Sequence, residues 1–332
     1  MLKIIGDINF SDGYFDRGQG VGTSISRGGN PFLRLNRNKK DFWIGNFECV
    51  ASNSEIKKPF IVSTEVLDKV DHMDFYSIAN NHVMQNGEEC YKVLCKYLED
   101  RRIPYAGSLS KKSNIIEHQN KKIGILSFSQ RPDNFTKNPL YWHLPEYKEI
   151  ENEIKNLYST DFKIAYIHWG YEFINYPNID QIQLAHWLVD NGIDLVIGTH
   201  PHVAQGYEIY KNKHIFYSLG NAVFNMPWEP TKYGLMVNVD FSDELPTIST
   251  SQLKIGKDFF PSIVEDIPEA YSLVNLNQLL EIREANEVFF QKAKKYYLEY
   301  RKTNRKNIIK SILKMSNSDS MDIIKDFIKR RF

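Results

Sequence analysis

The chain has 332 residues, 42% hydrophobic and 25% charged, the balance of a soluble globular protein with room for one large domain or two ordinary ones. Its 42 basic and 41 acidic residues leave a formal charge of +1, which excludes the basic excess of a nucleic-acid binder. Three widely spaced cysteines, Cys49, Cys90 and Cys95, argue against a disulfide framework, and no run nears the ~20 apolar residues that cross a bilayer.

Residues 2–5 are a short apolar run ending in Gly6-Asp7, and predict a buried strand with a carboxylate at its C-terminal end. The run is too short for a secretory signal and lacks a basic lead, so a cytoplasmic protein is expected, free or peripheral to the inner membrane face. Residues 11–40 are rich in Gly, Arg and Asn and read as a long loop. Residues 41–45 are a second strand leading to Glu48. Thr64 is an N-cap candidate for a helix over 65–72. Residues 75–79 are a third strand, followed by Asn80-Asn81-His82.

Cys90, Val93, Leu94, Tyr97 and Leu98 recur with the 3.6 period, which predicts an amphipathic helix over 86–102. A strand over 122–128 and a helix over 145–158 follow. The strand 162–167 ends at His168-Trp169-Gly170, and a helix over 180–191 ends with Gly192 as its C′ residue. The apolar run 193–197 leads into Gly198-Thr199-His200-Pro201-His202-Val203. Beyond it, Lys211-Asn212-Lys213 separates two alternating strands, a hairpin signal, and strands over 233–241 and 247–255 follow. Strand–helix alternation first and added strands later predict an α/β sandwich with mixed sheets over 1–255. From 256 to 332 a mostly helical, basic extension is expected. Its packing residues are predicted as Val288, Phe289, Tyr296, Tyr297, Ile308, Ile309 and Ile312. Lys314 and the closing Lys329-Arg330-Arg331 add to its positive charge. The extension reads either as solvated helices or as a peripheral membrane contact meeting anionic lipid or polymer.

His200 and His202, two residues apart in an extended segment, would leave one face together and address one centre or two adjacent ones; on their own they read equally as loop histidines. Asp7, Glu48, Asn81, His168 and His200 each stand at the C-terminal end of an apolar strand, the edge where open α/β sheets bind ligands. Unpaired carboxylates buried there are costly, and a divalent cation offsets the cost. Carboxylate, amide oxygen and imidazole together suit Mn, Fe or Zn. One or two such divalent metal ions would activate a water and clamp a phosphate or carbonyl oxygen.

The motifs Gly6-Asp7-Ile8-Asn9, Asn46-Phe47-Glu48, Ala79-Asn80-Asn81-His82, His168-Trp169-Gly170-Tyr171-Glu172, Gly198-Thr199-His200-Pro201-His202-Val203 and Tyr217-Ser218-Leu219-Gly220-Asn221 run in order. Over residues 1–245 this series resembles the bacterial capsule-synthesis family known as CapA or PgsA, a branch of the calcineurin-like metallophosphoesterases. The resemblance implies a four-layer α/β/β/α sandwich. It implies a first metal held by Asp7 and His202, a bridging Glu48, and a second metal held by Asn81, His168 and His200. His82 would assist the leaving group or steady developing charge. Asn9 stands where the superfamily has a histidine ligand, and Glu48 where it has an aspartate.

Glu172 is expected to orient a ligand or contact substrate, and Asn9, Asn221 and Trp169 to line the substrate pocket. The function implied is a metal-dependent hydrolase or transferase acting on a phosphoester or amide of an anionic cell-surface polymer, polysaccharide or poly-γ-glutamate. The alternative is a non-catalytic, polymer-binding component of a capsule synthase complex, with the other members of that complex as partners.

Overall fold

A computed structural model describes residues 1–313 apart from 14, 15 and 57, together with 315, 317, 320 and 321. Lys314 and Lys329-Arg330-Arg331 lie outside the described residues.

Two mixed sheets face each other. The first runs in the order Pro261–Val264, Thr247–Ile255, Tyr233–Asp240, Leu2–Ile8, Phe42–Phe47, Phe75–Ser77, Tyr105–Ala106, with Asn221–Val223 joined to the end of Leu2–Ile8. The second runs Tyr207–Tyr210, Lys213–Phe216, Leu195–Thr199, Phe162–His168, Lys121–Ser129, Ser113–His118. The central strands of each are parallel and point their C-terminal ends at one rim.

Side-chain alternation along these strands makes three apolar layers. Ile4, Ile44, Ile125, Ile164, Tyr166 and Ile197 fill the space between the sheets. From the intervening positions, Leu126, Ala165 and Val196 turn outward to Ile150 and Ile154 of the helix Tyr147–Asn156 and to Leu184 and Leu188 of Ile179–Asp190. On the opposite side, Ile5, Phe47 and Tyr76 meet Tyr91, Leu94 and Leu98 of Glu88–Asp100. The fold is thus the four-layer α/β/β/α sandwich. Each fully buried aliphatic or aromatic side chain contributes roughly 1.5–3 kcal/mol, and three continuous layers of them anchor the rim.

Several elements differ from expectation. The stretch 11–40 contains the helix Val21–Ser26 and the short turn Leu33–Leu35. Asp12 organises it by accepting the Gly18 N–H at 2.7 Å and the Thr23 N–H at 2.9 Å. The helix predicted at 65–72 is Thr64–Leu67, and its N-cap is Ser63, whose hydroxyl accepts the Val66 N–H. The edge strand Ser113–His118 escaped the sequence reading because it buries only Ile116 and so shows no apolar period. Pro261–Val264 pairs with Thr247–Ile255, carrying the first sheet past residue 255. The hairpin turn forms as expected, with Lys211 and Asn212 at φ 47° and 63°, the left-handed pair of a type I′ turn.

The helix Asn286–Ile312 packs through part of its predicted set, Phe289 and Tyr296; the Ile308 side chain lies outside the described residues. It buries Phe289 and Ala293, with Tyr296 against the same cluster, spaced four and three residues apart. Val288, Tyr297 and Ile309 instead stand 45%, 42% and 64% exposed. The helix rests on the loop after His168: Phe289 meets Tyr176 at 5.6 Å between ring centroids, and Tyr300 meets Phe173 at 4.3 Å.

Candidate metal centre

Close backbone approach positions Asp7. A Cβ at Gly6 would lie 1.9 Å from the Gly220 carbonyl oxygen, so only glycine fits there. The Asp7 N–H donates to that same carbonyl at 3.0 Å. Here the strand changes neighbour, from Met236 opposite Ile5 to Asn221 opposite Asp7. On the other side Asn46 is in register with Asp7 and donates its Nδ2–H to Asp7 Oδ1 at 2.8 Å. Asn80 Nδ2 donates in turn to Asn46 Oδ1 at 3.2 Å and to the Phe47 carbonyl at 2.9 Å.

In the second sheet, His168 is the register partner of Thr199. A Cβ at Gly198 would come within 2.0 Å of the Tyr217 carbonyl oxygen, which holds the next turn tightly against the neighbouring strand. His200 and His202 are not in an extended segment. Both adopt positive φ, 96° and 58°. That conformation costs of order 1–3 kcal/mol per non-glycine residue and is concentrated at functional sites. It sends the two imidazoles to different neighbours: their ring centroids are 5.9 Å apart.

Two sets of three ligand-type atoms result, Asp7–Glu48–His202 and Glu48–His168–His200, each mutually within 4.8 Å and sharing Glu48. In the first, His202 Nδ1 is 3.5 Å from Asp7 Oδ2 and His202 Nε2 is 3.7 Å from Glu48 Oε1. In the second, His168 Nε2 lies 2.8 Å from Asn81 Oδ1, 3.1 Å from His200 Nδ1 and 3.8 Å from Glu48 Oε1. None of these five shared-set residues is more than 1% exposed, and Asn81 is 7% exposed.

The donor chemistry fits divalent cations. Both oxygens of Glu48 and the Nε2 atoms of His200 and His202 are buried with no hydrogen-bond partner among the described residues. An orphaned buried carboxylate costs several kcal/mol unless something neutralises it. Burial, then the charge of Asp7, pushes the Glu48 carboxyl well above its usual range. Burial drives the imidazoles of His168 and His200 well below theirs, leaving neutral rings, the form that ligates metals. Burial works against charge on Asp7 and His202 too, but their mutual contact prevails: Asp7 moves down and His202 up.

The remaining predicted residues fall in distinct places. His82 Nε2 is 3.8 Å from Glu48 Oε1, and its Nδ1 is 2.7 Å from Gln85 Oε1. Phe60, itself at φ 58°, stacks on the His82 ring at 3.6 Å and 1°. Burial lowers the His82 imidazole to about 3. Glu172 is half-buried and acts on Glu48 and His202 through its charge. The three residues expected to line the substrate pocket have these partners. Asn9 Oδ1 accepts from the Ser11 N–H at 2.9 Å and the Ser11 hydroxyl at 2.7 Å, because the chain turns at once after the strand. The Trp169 indole lies in the helix-side core, with Nε1–H donating to the Tyr217 carbonyl at 2.8 Å. Asn221 Oδ1 sits 2.9 Å from His202 Nδ1 and orients that ring. Sequence reasoning missed Asn46, Asn80, Gln85 and Arg131; the first two stand inside quoted motifs, and Gln85 stands three residues past His82.

A family model described as bacterial capsule synthesis protein PGA_cap matches residues 2–226. The chain belongs to this family. It is 30% identical over 183 residues to the capsule biosynthesis protein CapA of Bacillus anthracis, covering 50% of this chain and 44% of that one. It is 44% identical over 78 residues to the PGA biosynthesis protein CapA of Bacillus subtilis strain 168, covering 24% and 20%. The match thus spans less than half the length of either relative. A solved putative 5′-nucleotidase of Staphylococcus aureus aligns with 84% of this chain and 57% of its own, at 13% identity and a TM-score of 0.49. The PGA_cap match takes in both donor sets, Asp7 through His202, and stops short of the helix Asn286–Ile312. Among the described residues no helix is long and apolar enough to cross a membrane.

Proposed function

We propose that the chain is a metal-dependent hydrolase or transferase that acts on a phosphoester or amide bond of an anionic cell-surface polymer in capsule or poly-γ-glutamate production. The observation that carries this reading is the pair of buried donor sets joined through Glu48, whose two oxygens have no hydrogen-bond partner among the described residues. Asp7, Glu48 and His202 would hold one ion; Glu48, His168, His200 and Asn81 would hold the other. Bound ions there supply Lewis-acid polarisation and a water of lowered pKa.

The protein's own residues do the rest. Asn46 and Asn221 hold Asp7 and His202 in place. Gln85 and the Phe60 ring fix the His82 imidazole, whose Nε2 receives or returns the proton beside Glu48. Exposed Lys294, Lys295, Arg301 and Lys302 on Asn286–Ile312 support an anionic partner, polymer or lipid headgroups, along this helix. Metal content by elemental analysis, with turnover of bis-p-nitrophenyl phosphate and polymer fragments, tests the proposal. A pure protein that takes up no Mn, Fe or Zn ends it.

One observation favours the non-catalytic reading. With Asn9 Oδ1 engaged by Ser11, the first donor set holds one ligand fewer than the superfamily's pattern. On that reading His82→Ala leaves polymer production intact in cells.

A further inference from the structure

Beside the turn Trp169-Gly170-Tyr171, directly after His168, opens a cleft of about 270 Å³. Arg131 and Gln181 converge on it through Gly170. Arg131 Nη1–H donates to the Gly170 carbonyl at 2.8 Å, and its guanidinium carbon sits 4.8 Å over the Tyr171 ring. A Cβ on Gly170 would lie 2.7 Å from Gln181 Nε2, so the amide packs flat on that glycine. Both side chains are thereby held rigid.

What they present is unsatisfied donors. Arg131 Nε and Gln181 Nε2 are buried with no acceptor among the described residues, and Gln181 is 4% exposed. The end-for-end orientation of the Gln181 amide is settled by its capping contact: Gln181 Oε1 accepts the Asn178 N–H at 3.1 Å, while Asn178 Oδ1 accepts the Gln181 N–H at 2.8 Å. The nitrogen is therefore the free end. Two fixed, buried N–H groups at the start of the helix Ile179–Asp190 form a site for an anion.

The charge balance narrows the anion. Arg131 is the one cation among the lining residues, and the exposed Asp180 carboxylate lines the same cleft. One cation against one resident anion suits a singly charged, planar carboxylate over a dianionic phosphate. We propose that this cleft is a substrate subsite in which Arg131 and Gln181 hold a carboxylate of the polymer, next to the turn that carries His168. The identity of the polymer rests on the proposed function; the subsite itself does not. Gln130, which lines the cleft beside Arg131, donates its N–H to the His168 carbonyl at 2.9 Å, so the cleft adjoins the strand end that carries a donor-set residue.

The test is calorimetric titration of the full chain, freed of metal by dialysis, with a short γ-linked glutamate oligomer and with its uncharged γ-linked glutamine counterpart. The charged oligomer binds and the uncharged one does not. Arg131→Gln weakens binding at least about tenfold, as expected for removal of a buried charge partner. Asp180→Asn tightens it, a gain that misfolding cannot mimic. Metal uptake by Arg131→Gln stays at the level of the parent. Equal binding by the parent and Arg131→Gln, no gain in Asp180→Asn, or displacement by inorganic phosphate at equal concentration overturns the assignment. Loss of metal uptake by the parent chain would sink the proposed function and leave the oligomer binding in place, so the two failures are distinguishable.

Discussion

Asn221 Oδ1 lies 2.9 Å from Nδ1 of His202. The amide oxygen fixes the Nδ1–H tautomer, and Nε2 is left facing Glu48 at 3.7 Å. Asn221 is itself held, donating Nδ2–H to the Thr231 carbonyl at 3.2 Å. Orienting contacts of this kind govern metal affinity by about 10–100-fold. Asn221→Ala is expected to weaken the first ion by that amount, measured by competition with a fluorescent chelator, while the second ion binds as before.

Glu48 belongs to both donor sets, whereas His202 belongs to one. Glu48→Ala should therefore empty both ion positions and His202→Ala only one. Elemental analysis of the two purified variants reads this directly. Equal metal content in the two would contradict the shared-ligand geometry. In metal-free protein Glu48→Gln should melt no lower than the parent, because it replaces a buried carboxyl that has no hydrogen-bond partner among the described residues.

Asp16 is a third buried carboxyl beside Asp7 and Glu48, and it sits outside the donor sets. Burial, then the nearby Asp12 carboxylate, raises it from 3.8 to about 7. The folded protein thus keeps a proton that the unfolded chain releases. This stability is fully present below about pH 4 and is lost as pH rises toward about 7, a swing on the order of a few kcal/mol. Asp16→Asn keeps the neutral form at every pH. Urea midpoints taken between about pH 5 and about pH 8 should fall in the parent and stay flatter in the variant.

Phe289 is 2% exposed and packs on Tyr171 and Tyr176. Removing a buried phenylalanine costs roughly 3–5 kcal/mol. The loss in Phe289→Ala is local to the docking of Asn286–Ile312, so limited proteolysis should cut the C-terminal helix early while the sandwich stays resistant. Simultaneous digestion of both would show that the helix and the sandwich unfold as one unit.

Much of this was legible in residue order. Buried parallel strands are near-continuous apolar runs, and those at Leu2–Ile8, Phe75–Ser77 and Leu195–Thr199 end where their polar residues begin. That is why Asp7, Asn81 and His200 stood out as residues of one rim. Ser113–His118 and Pro261–Val264 did not stand out, because edge strands bury little and carry no period. A motif places Asn9 and Asn221 at the rim but says nothing of where an amide points. Ser11 takes one amide and His202 the other.

The sequence by itself determined the layers, the rim and the residue types gathered along it, since hydrophobic period and strand ends are local properties of the chain. Tertiary structure alone decided that Glu48 serves both donor sets, that His200 and His202 part company at positive φ, and that Arg131 and Gln181, fifty residues apart, meet over Gly170. Those outcomes depend on distances between elements remote in sequence, which are fixed only when the two sheets close on their shared core.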